Sequence, residues 1–283
     1  MGAGGLSAVS YASSCWARLR GRKYQPPQPM RLIHHFACAG GTLISRSVRA
    51  QLCVRVLSEI DPLSEMSLVG DVRTFAPTDV IALARAASPN IRNSTLERMF
   101  LSALKVLSDD MINEGLILVL RDHNHSHYCT SLDPGSRNSL LSIVRREFDS
   151  KSIVTVRHPI DSWISLVANG WVQLSENSLN EYCRRYLLFL DDHVDVPILR
   201  YEDFVSDPDG KILYLCNVLN IPYSETWGTS LPGIKMSGDS GRTGDVISFR
   251  KRKLLDSATI DEANSSINYA HLCERLNYDP NVI

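Results

Sequence analysis

The sequence predicts an α/β protein, a mostly parallel, doubly wound sheet flanked by helices. Short apolar runs predict it first: Leu116 to Leu120; Ile153, Val154 and Val156; and Ile198-Leu199 show no polar alternation, as strands covered on both faces require. With Leu32-Ile33 ahead of the paired histidines His34-His35 they make four strands. The second observation is that each run stops at polar or glycine residues and hands over to a helix or a long connection, as parallel strands must. In such sheets ligands sit beyond the carboxyl ends of the strands, and the chemically interesting residues of this chain gather there.

The first strand leads through "HHFACAGGT" into a helix with no polar linker. Paired glycines between a buried strand and a helix have two physical explanations: the backbone comes close to an anion at the helix N-terminus, or the turn packs the helix tightly onto the sheet. Ile44, Val48, Leu52 and Val56 then recur every fourth residue, which predicts one apolar stripe on a helix ending near Asp61-Pro62. Ser94-Thr95-Leu96-Glu97 reads as a capping box, with Leu96, Met99, Phe100, Ala103 and Leu107 as the buried face behind it. "DPDGKILYLCNVLNIP" reads as a further amphipathic helix closed by Asn220 and Pro222, and the Gly/Ser-rich stretch from Gly233 to Asp245, with Lys235 and Arg242, reads as a loop.

The totals exclude several classes of function. Among 283 residues, 30 basic and 31 acidic side chains give a net charge of −1, so no global field points to nucleic acid or a membrane surface, and any anion site is local. No stretch of about 18 uninterrupted apolar residues is present to cross a membrane. The seven cysteines form no CxxC pair, which argues against a disulfide framework or zinc knuckle and for a reducing, cytoplasmic setting. Residues 1–29 are rich in Gly, Ala and Ser and carry Arg18, Arg20, Arg22 and Lys23 with no acidic residue before Glu59. They are expected to form a disordered leader, with organelle targeting as the alternative, ahead of a single domain over 30–283.

"VRHPIDSWISL" carries the next signal. Arg157 leaves a strand, Pro159 suits the first turn of a helix, and Ser165 follows eight residues after Arg157. That pair can grip one phosphate from two sides, or Arg157 can be an ordinary surface ion pair at a strand end. A Walker-type loop needs GxxxxGK[ST], and no lysine follows Gly41, so magnesium-dependent ATP chemistry has little support.

Together these features resemble the sulfotransferases that use 3′-phosphoadenosine 5′-phosphosulfate (PAPS), whose fold is P-loop-NTPase-like. Ala39-Gly40-Gly41-Thr42 resembles that family's loop for the 5′-phosphosulfate, and Arg157-His158-Pro159 with Ser165 resembles its 3′-phosphate motif. "LRYEDF", Asp207-Pro208 and "VLNIP" are similar to the shared stretch that follows, and Ser237 to Arg242 to a loop of bacterial-type members. The resemblance spans about Arg31 to Ile221. It implies PAPS as cosubstrate without a metal, and cofactor contacts from Ala39, Gly40, Gly41, Thr42, Arg157 and Ser165. "RDH" matches a basic residue, any residue, then a catalytic histidine, so His123 is the implied base and Arg121 the implied stabiliser of the moving sulfuryl oxygens.

The chain departs from the family where a loop lysine is common. Cys38 stands there, and Arg46 lies a full turn too far along the helix to replace it. His34 and His35 are alternative bases. His123, His125 and His127 would face one side of an extended segment, so a metal reading stays beside the catalytic one. The expected reaction is sulfuryl transfer to a hydroxyl or amine of a small-molecule, carbohydrate or lipid acceptor that the sequence does not specify. A phosphotransferase, or an inactive module binding adenosine 3′,5′-bisphosphate (PAP), are the alternatives.

Overall fold

A computed structural model describes residues 28–66, 80–88, 90–234, 236, 247–249 and 251–281. The leader expected over 1–29 lies, except for 28 and 29, outside the described residues, as do Lys235 and the Ser237 to Arg242 loop. In chain order the described elements begin with β1 (Met30–His35), α1 (Gly41–Arg49), β2 (Val54–Ile60), α2 (Val80–Ala87), α3 (Asn93–Asn113) and β3 (Ile117–Asp122). Then come α4 (Asn124–Tyr128), α5 (Leu140–Val144), β4 (Ser150–Val156), α6 (Pro159–Ala168), α7 (Leu179–Asp191), β5 (Ile198–Arg200), α8 (Tyr201–Ser206) and α9 (Pro208–Leu219). Last are α10 (Trp227–Ser230), α11 (Ser257–Ser265) and α12 (Ile267–Leu276).

The sheet has five strands in the order β2-β3-β1-β4-β5, and every pairing is parallel. Strand alternation explains the unbroken apolar runs. Met30, Leu32, Leu118, Leu120, Val154 and Val156 face one buried layer with α5, α6, α7 and α12. Their neighbours Ile33, Val119 and Ile153 face a second layer formed by α1, α8 and α9. The same alternation sorts the polar residues at the strand ends: His35 and Arg121 fall on the α1 side, His34 and Asp122 on the α7 side.

Two expectations about elements fail. The helix read through Val56 stops at Arg49, and after Cys53, which adopts φ 62°, the chain runs as the edge strand β2. Leu52 of the supposed stripe is 40 % exposed. Helix α3 starts at Asn93 with no side-chain cap, because Glu97 is buried and accepts hydrogen bonds from Asn138 (2.8 Å) and Arg146 (2.6 Å) instead of closing a capping box. Its fully buried apolar face accordingly runs through Leu96, Leu101 and Leu104.

Other boundaries follow the expected chemistry. Pro159 opens α6, Asp207 caps α9 by accepting from the Gly210 N–H, and Asn220 closes α9 in the left-handed region at φ 51°. No helix among the described residues is long and apolar enough to cross a membrane. The six described cysteines are free thiols.

Candidate active site

A cavity of about 760 Å³ opens beyond the carboxyl ends of β1, β3 and β4, at the N-terminus of α1. Its wall contains Ala39, Gly40, Gly41, Thr42, Arg121, His123, Arg157 and Ser165, so residues read from three separate stretches of sequence meet in one place. Cys38, His35 and His125 also line it, whereas His34, Arg46 and His127 do not.

The turn before α1 is built by close approach. Gly40 sits at φ 82°, and a Cβ there would overlap the Tyr201 ring, while a Cβ on Gly41 would overlap the His35 imidazole. The packing explanation of the paired glycines therefore holds, and it leaves the anion explanation open, because the Gly41 and Thr42 N–H groups belong to the first turn of α1 and have no partner within the helix. Gly41→Val is accordingly expected to lower stability by about 1–3 kcal/mol with or without ligand, from overpacking against His35; a melting curve indistinguishable from the parent's would contradict this.

Arg121 organises the floor. One terminal nitrogen donates to Ser58 Oγ (2.8 Å) and pairs with Glu59 Oε1 (2.5 Å). The other lies 3.1 Å from His35 Nε2 and donates to Thr42 Oγ1 (3.0 Å). Burial and the Arg121 cation hold His35 well below the usual histidine range, and its Nε2 accepts from Arg121, so the lone pair a base would need is already engaged. His34 points to the opposite side of the sheet. Neither alternative base is thus placed to take a proton in the cavity.

His123 is the N-cap residue of α4, and its Nε2 lies 3.3 Å from Glu59 Oε2. Glu59 therefore touches both His123 and Arg121 with its two oxygens. It does so from a left-handed backbone, φ 60°, at the point where the β2–β3 register shifts. Such a conformation costs a non-glycine residue about 1–3 kcal/mol and persists where the surroundings over-determine it. Glu59 is not legible in the sequence because the helical spacing runs on through β2; an acidic residue closing a Val-rich run is the available signal.

The histidine triplet does not act as one unit. His123 and His125 rings lie 6.3 Å apart, but the segment is helical rather than extended, and buried His127 donates from Nε2 to the Pro134 carbonyl (3.0 Å). Burial pushes His125 down to about 4.

On the other side, an Arg157 terminal nitrogen lies 3.3 Å from Ser165 Oγ and 3.5 Å from the Cys38 carbonyl, with the guanidinium 5.2 Å from the Tyr201 ring centre. The Arg157 and Ser165 pair therefore forms, and it faces the cavity. Lys251 and Lys253 line the same wall, while Arg252 between them pairs with Asp161 (2.8 Å). Cys38 occupies φ 59°, and burial, against pulls from Arg157 and Asn169, pushes its thiol up to about 11, so it stays neutral. Arg46 donates to the Leu231 carbonyl (2.8 Å), away from the cavity.

No protein-family model matches the sequence, and no curated protein matches it. Among solved structures, the sulfotransferase domain of the Synechococcus olefin synthase aligns over 91% of this chain and 97% of its own, with a TM-score of 0.53 at 18% identity. The fold is that of a sulfotransferase domain. The sulfotransferase domain of the curacin biosynthetic pathway aligns over 89% of this chain and 99% of its own, at 18% identity and a TM-score of 0.47. A sulfotransferase from Alicyclobacillus acidocaldarius aligns over 89% and 97%, at 14% identity and a TM-score of 0.42. In this sulfotransferase fold the cavity lies where an open parallel sheet offers its ligand site.

Proposed function

We propose that this chain is a PAPS-dependent sulfotransferase acting on a hydroxyl or amine acceptor. The observation that carries the reading is the meeting, in one cavity, of a helix N-terminus, an Arg157–Ser165 pair at 3.3 Å and an Arg121–Glu59–His123 cluster. The cavity suits a bis-anionic nucleotide. The first-turn N–H groups of α1 and the Thr42 hydroxyl receive the 5′-phosphate end, Ala39 and Gly40 shape the loop around it, and Arg157 with Ser165 receives the 3′-phosphate. Lys251 and Lys253 add positive charge along that wall.

PAPS supplies a sulfuryl group on a phosphate leaving group. His123 takes the acceptor proton on Nδ1, the ring nitrogen that Glu59 does not hold, while Glu59, beside Nε2, fixes the ring and favours the imidazolium that results. Arg121, held rigid by Ser58, Thr42 and His35, sets a fixed positive charge beside the sulfuryl oxygens as the group passes in line. Glu59 and Asp161, the cavity carboxylates, are each already paired with an arginine, Arg121 and Arg252, which argues against the magnesium-dependent phosphotransferase alternative.

The decisive measurement is a thermal shift with PAP beside adenosine 5′-monophosphate. At a hundred times its dissociation constant PAP is expected to add about 2.7 kcal/mol of apparent stability, and the monophosphate clearly less at the same concentration. Equal shifts would remove the reading. Labelled PAPS offered with a panel of hydroxylated small molecules, sugars and lipids then identifies the acceptor, and nucleotide binding without transfer to any of them would favour an inactive PAP-binding module.

A further inference from the structure

We propose that His34, Asp122 and His193 form a buried site for a divalent transition-metal ion of the zinc type, on the sheet face opposite the transfer cavity. Strand alternation places it there. His34 follows Ile33 on β1 and Asp122 follows Arg121 on β3, so their side chains leave the α1 side and meet His193, two residues beyond the end of α7. One nitrogen or oxygen from each of the three side chains lies within 4.8 Å of the others, and all three residues are buried.

The hydrogen bonds of this cluster do not close without a further partner. His193 Nδ1–H donates to the Phe189 carbonyl (2.7 Å), which fixes its lone pair on Nε2, and that atom has no partner. His34 meets Asp122 Oδ2 through Nδ1 (2.7 Å), and its Nε2 has no partner either. With the His34 Nδ1–H given to Asp122, each imidazole keeps a buried Nε2 lone pair that no donor meets. A cation is what such a set lacks. A ring nitrogen held by a backbone carbonyl while the other faces inward is the outer-shell arrangement of metal-ligating histidines. Two imidazoles and a carboxylate suit zinc or a neighbouring first-row ion.

Such an ion would tie the ends of β1 and β3 to α7 directly behind Arg121 and His123. It takes no part in the sulfuryl transfer proposed above, and the inference does not depend on that proposal.

The test is metal analysis of the full chain purified without a histidine tag, followed by chelator treatment and titration with Zn²⁺ or Co²⁺. About one tightly held ion per chain is expected, with a melting temperature that falls on stripping and a tetrahedral Co²⁺ absorption that appears on reloading. His193→Gln and His34→Gln should each weaken metal binding at least tenfold, while His125→Ala, in the cavity, should leave it unchanged. A folded, metal-free chain that neither takes up Co²⁺ nor melts higher with Zn²⁺ would overturn the site, and so would binding lost in His125→Ala but kept in His193→Gln. Should the buried variants fail to fold, titration of the parent chain still decides.

Discussion

Replacing His123 by alanine is expected to lower the rate of sulfuryl transfer by about a hundredfold or more, with PAP affinity close to the parent's. A base acts on the proton that leaves in the transition state and contributes little to holding the nucleotide, so the loss belongs in the rate and not in binding. The geometry singles out His123 among the nearby histidines. It alone faces the cavity with Nε2 beside a carboxylate, 3.3 Å from Glu59. His35 already accepts from Arg121, His34 lies on the other face, and His127 is tied to the Pro134 carbonyl. His125→Ala should therefore cost much less. Glu59→Gln separates two roles for the carboxylate: it should also slow transfer, because a neutral amide orients the ring without favouring the imidazolium, and it should leave PAP binding in place. Full activity in His123→Ala, measured with labelled PAPS and a confirmed acceptor, would refute the assignment and make Glu59 the next base to test.

The parallel sheet was legible because its three inner strands are covered on both faces, and a doubly buried strand cannot hide its apolar run; the short edge strand β5, its Ile198 44 % exposed, showed only as Ile198-Leu199 ahead of Arg200. The fifth was not. β2 is an edge strand, half-buried, and its Val56, four residues after Leu52, happened to continue the four-residue spacing of α1. Only the left-handed turn at Cys53 separates the two elements, and a cysteine does not advertise that conformation. Losing β2 also lost Glu59, the residue that links Arg121 to His123. Glu97 misled in a related way: its spacing from Ser94 fits a cap, but two partners distant in sequence, Asn138 and Arg146, outweigh local chemistry. The cavity residues carried better signals. Gly40, Gly41, Arg157 and Ser165 each sit at a strand end or in the first turns of the following helix, where parallel topology gathers residues whatever their sequence separation. What gathered with them unannounced, Tyr201 over Gly40 and Lys251 and Lys253 on the wall, depends on packing that no local pattern encodes.

Arg137→Ala is expected to destabilise the fold by about 3–5 kcal/mol at neutral pH. Arg137 forms a two-pronged pair with Asp61, at 2.6 and 2.7 Å, and the two side chains are 9 % and 7 % exposed. Removing the guanidinium leaves a buried carboxylate without its counter-ion. The effect carries a pH signature. Burial alone would raise the Asp61 carboxyl, but the hydrogen bonds and charge of Arg137 outweigh it and hold the group below the usual carboxylate range. Because the folded value lies below the unfolded one, this stabilisation is complete above the ordinary aspartate range and is lost as pH falls through the folded value. Urea melts of parent and Arg137→Ala should consequently converge at acid pH, and a gap that stays constant from neutral to acid would show that lost packing, and not the charge pair, is responsible. The same arginine donates to the Ser126 carbonyl (3.0 Å), and Ser126 Oγ joins Asp61 (2.5 Å) to the His123 carbonyl (2.7 Å). The pair thus clamps the start of α4 from which His123 projects. In variant protein that remains folded, transfer should fall further than PAP binding does, since the nucleotide contacts proposed above lie on α1 and α6 while the proposed base, His123, rests on this clamp; an equal loss of both would instead mean that the whole cavity had loosened.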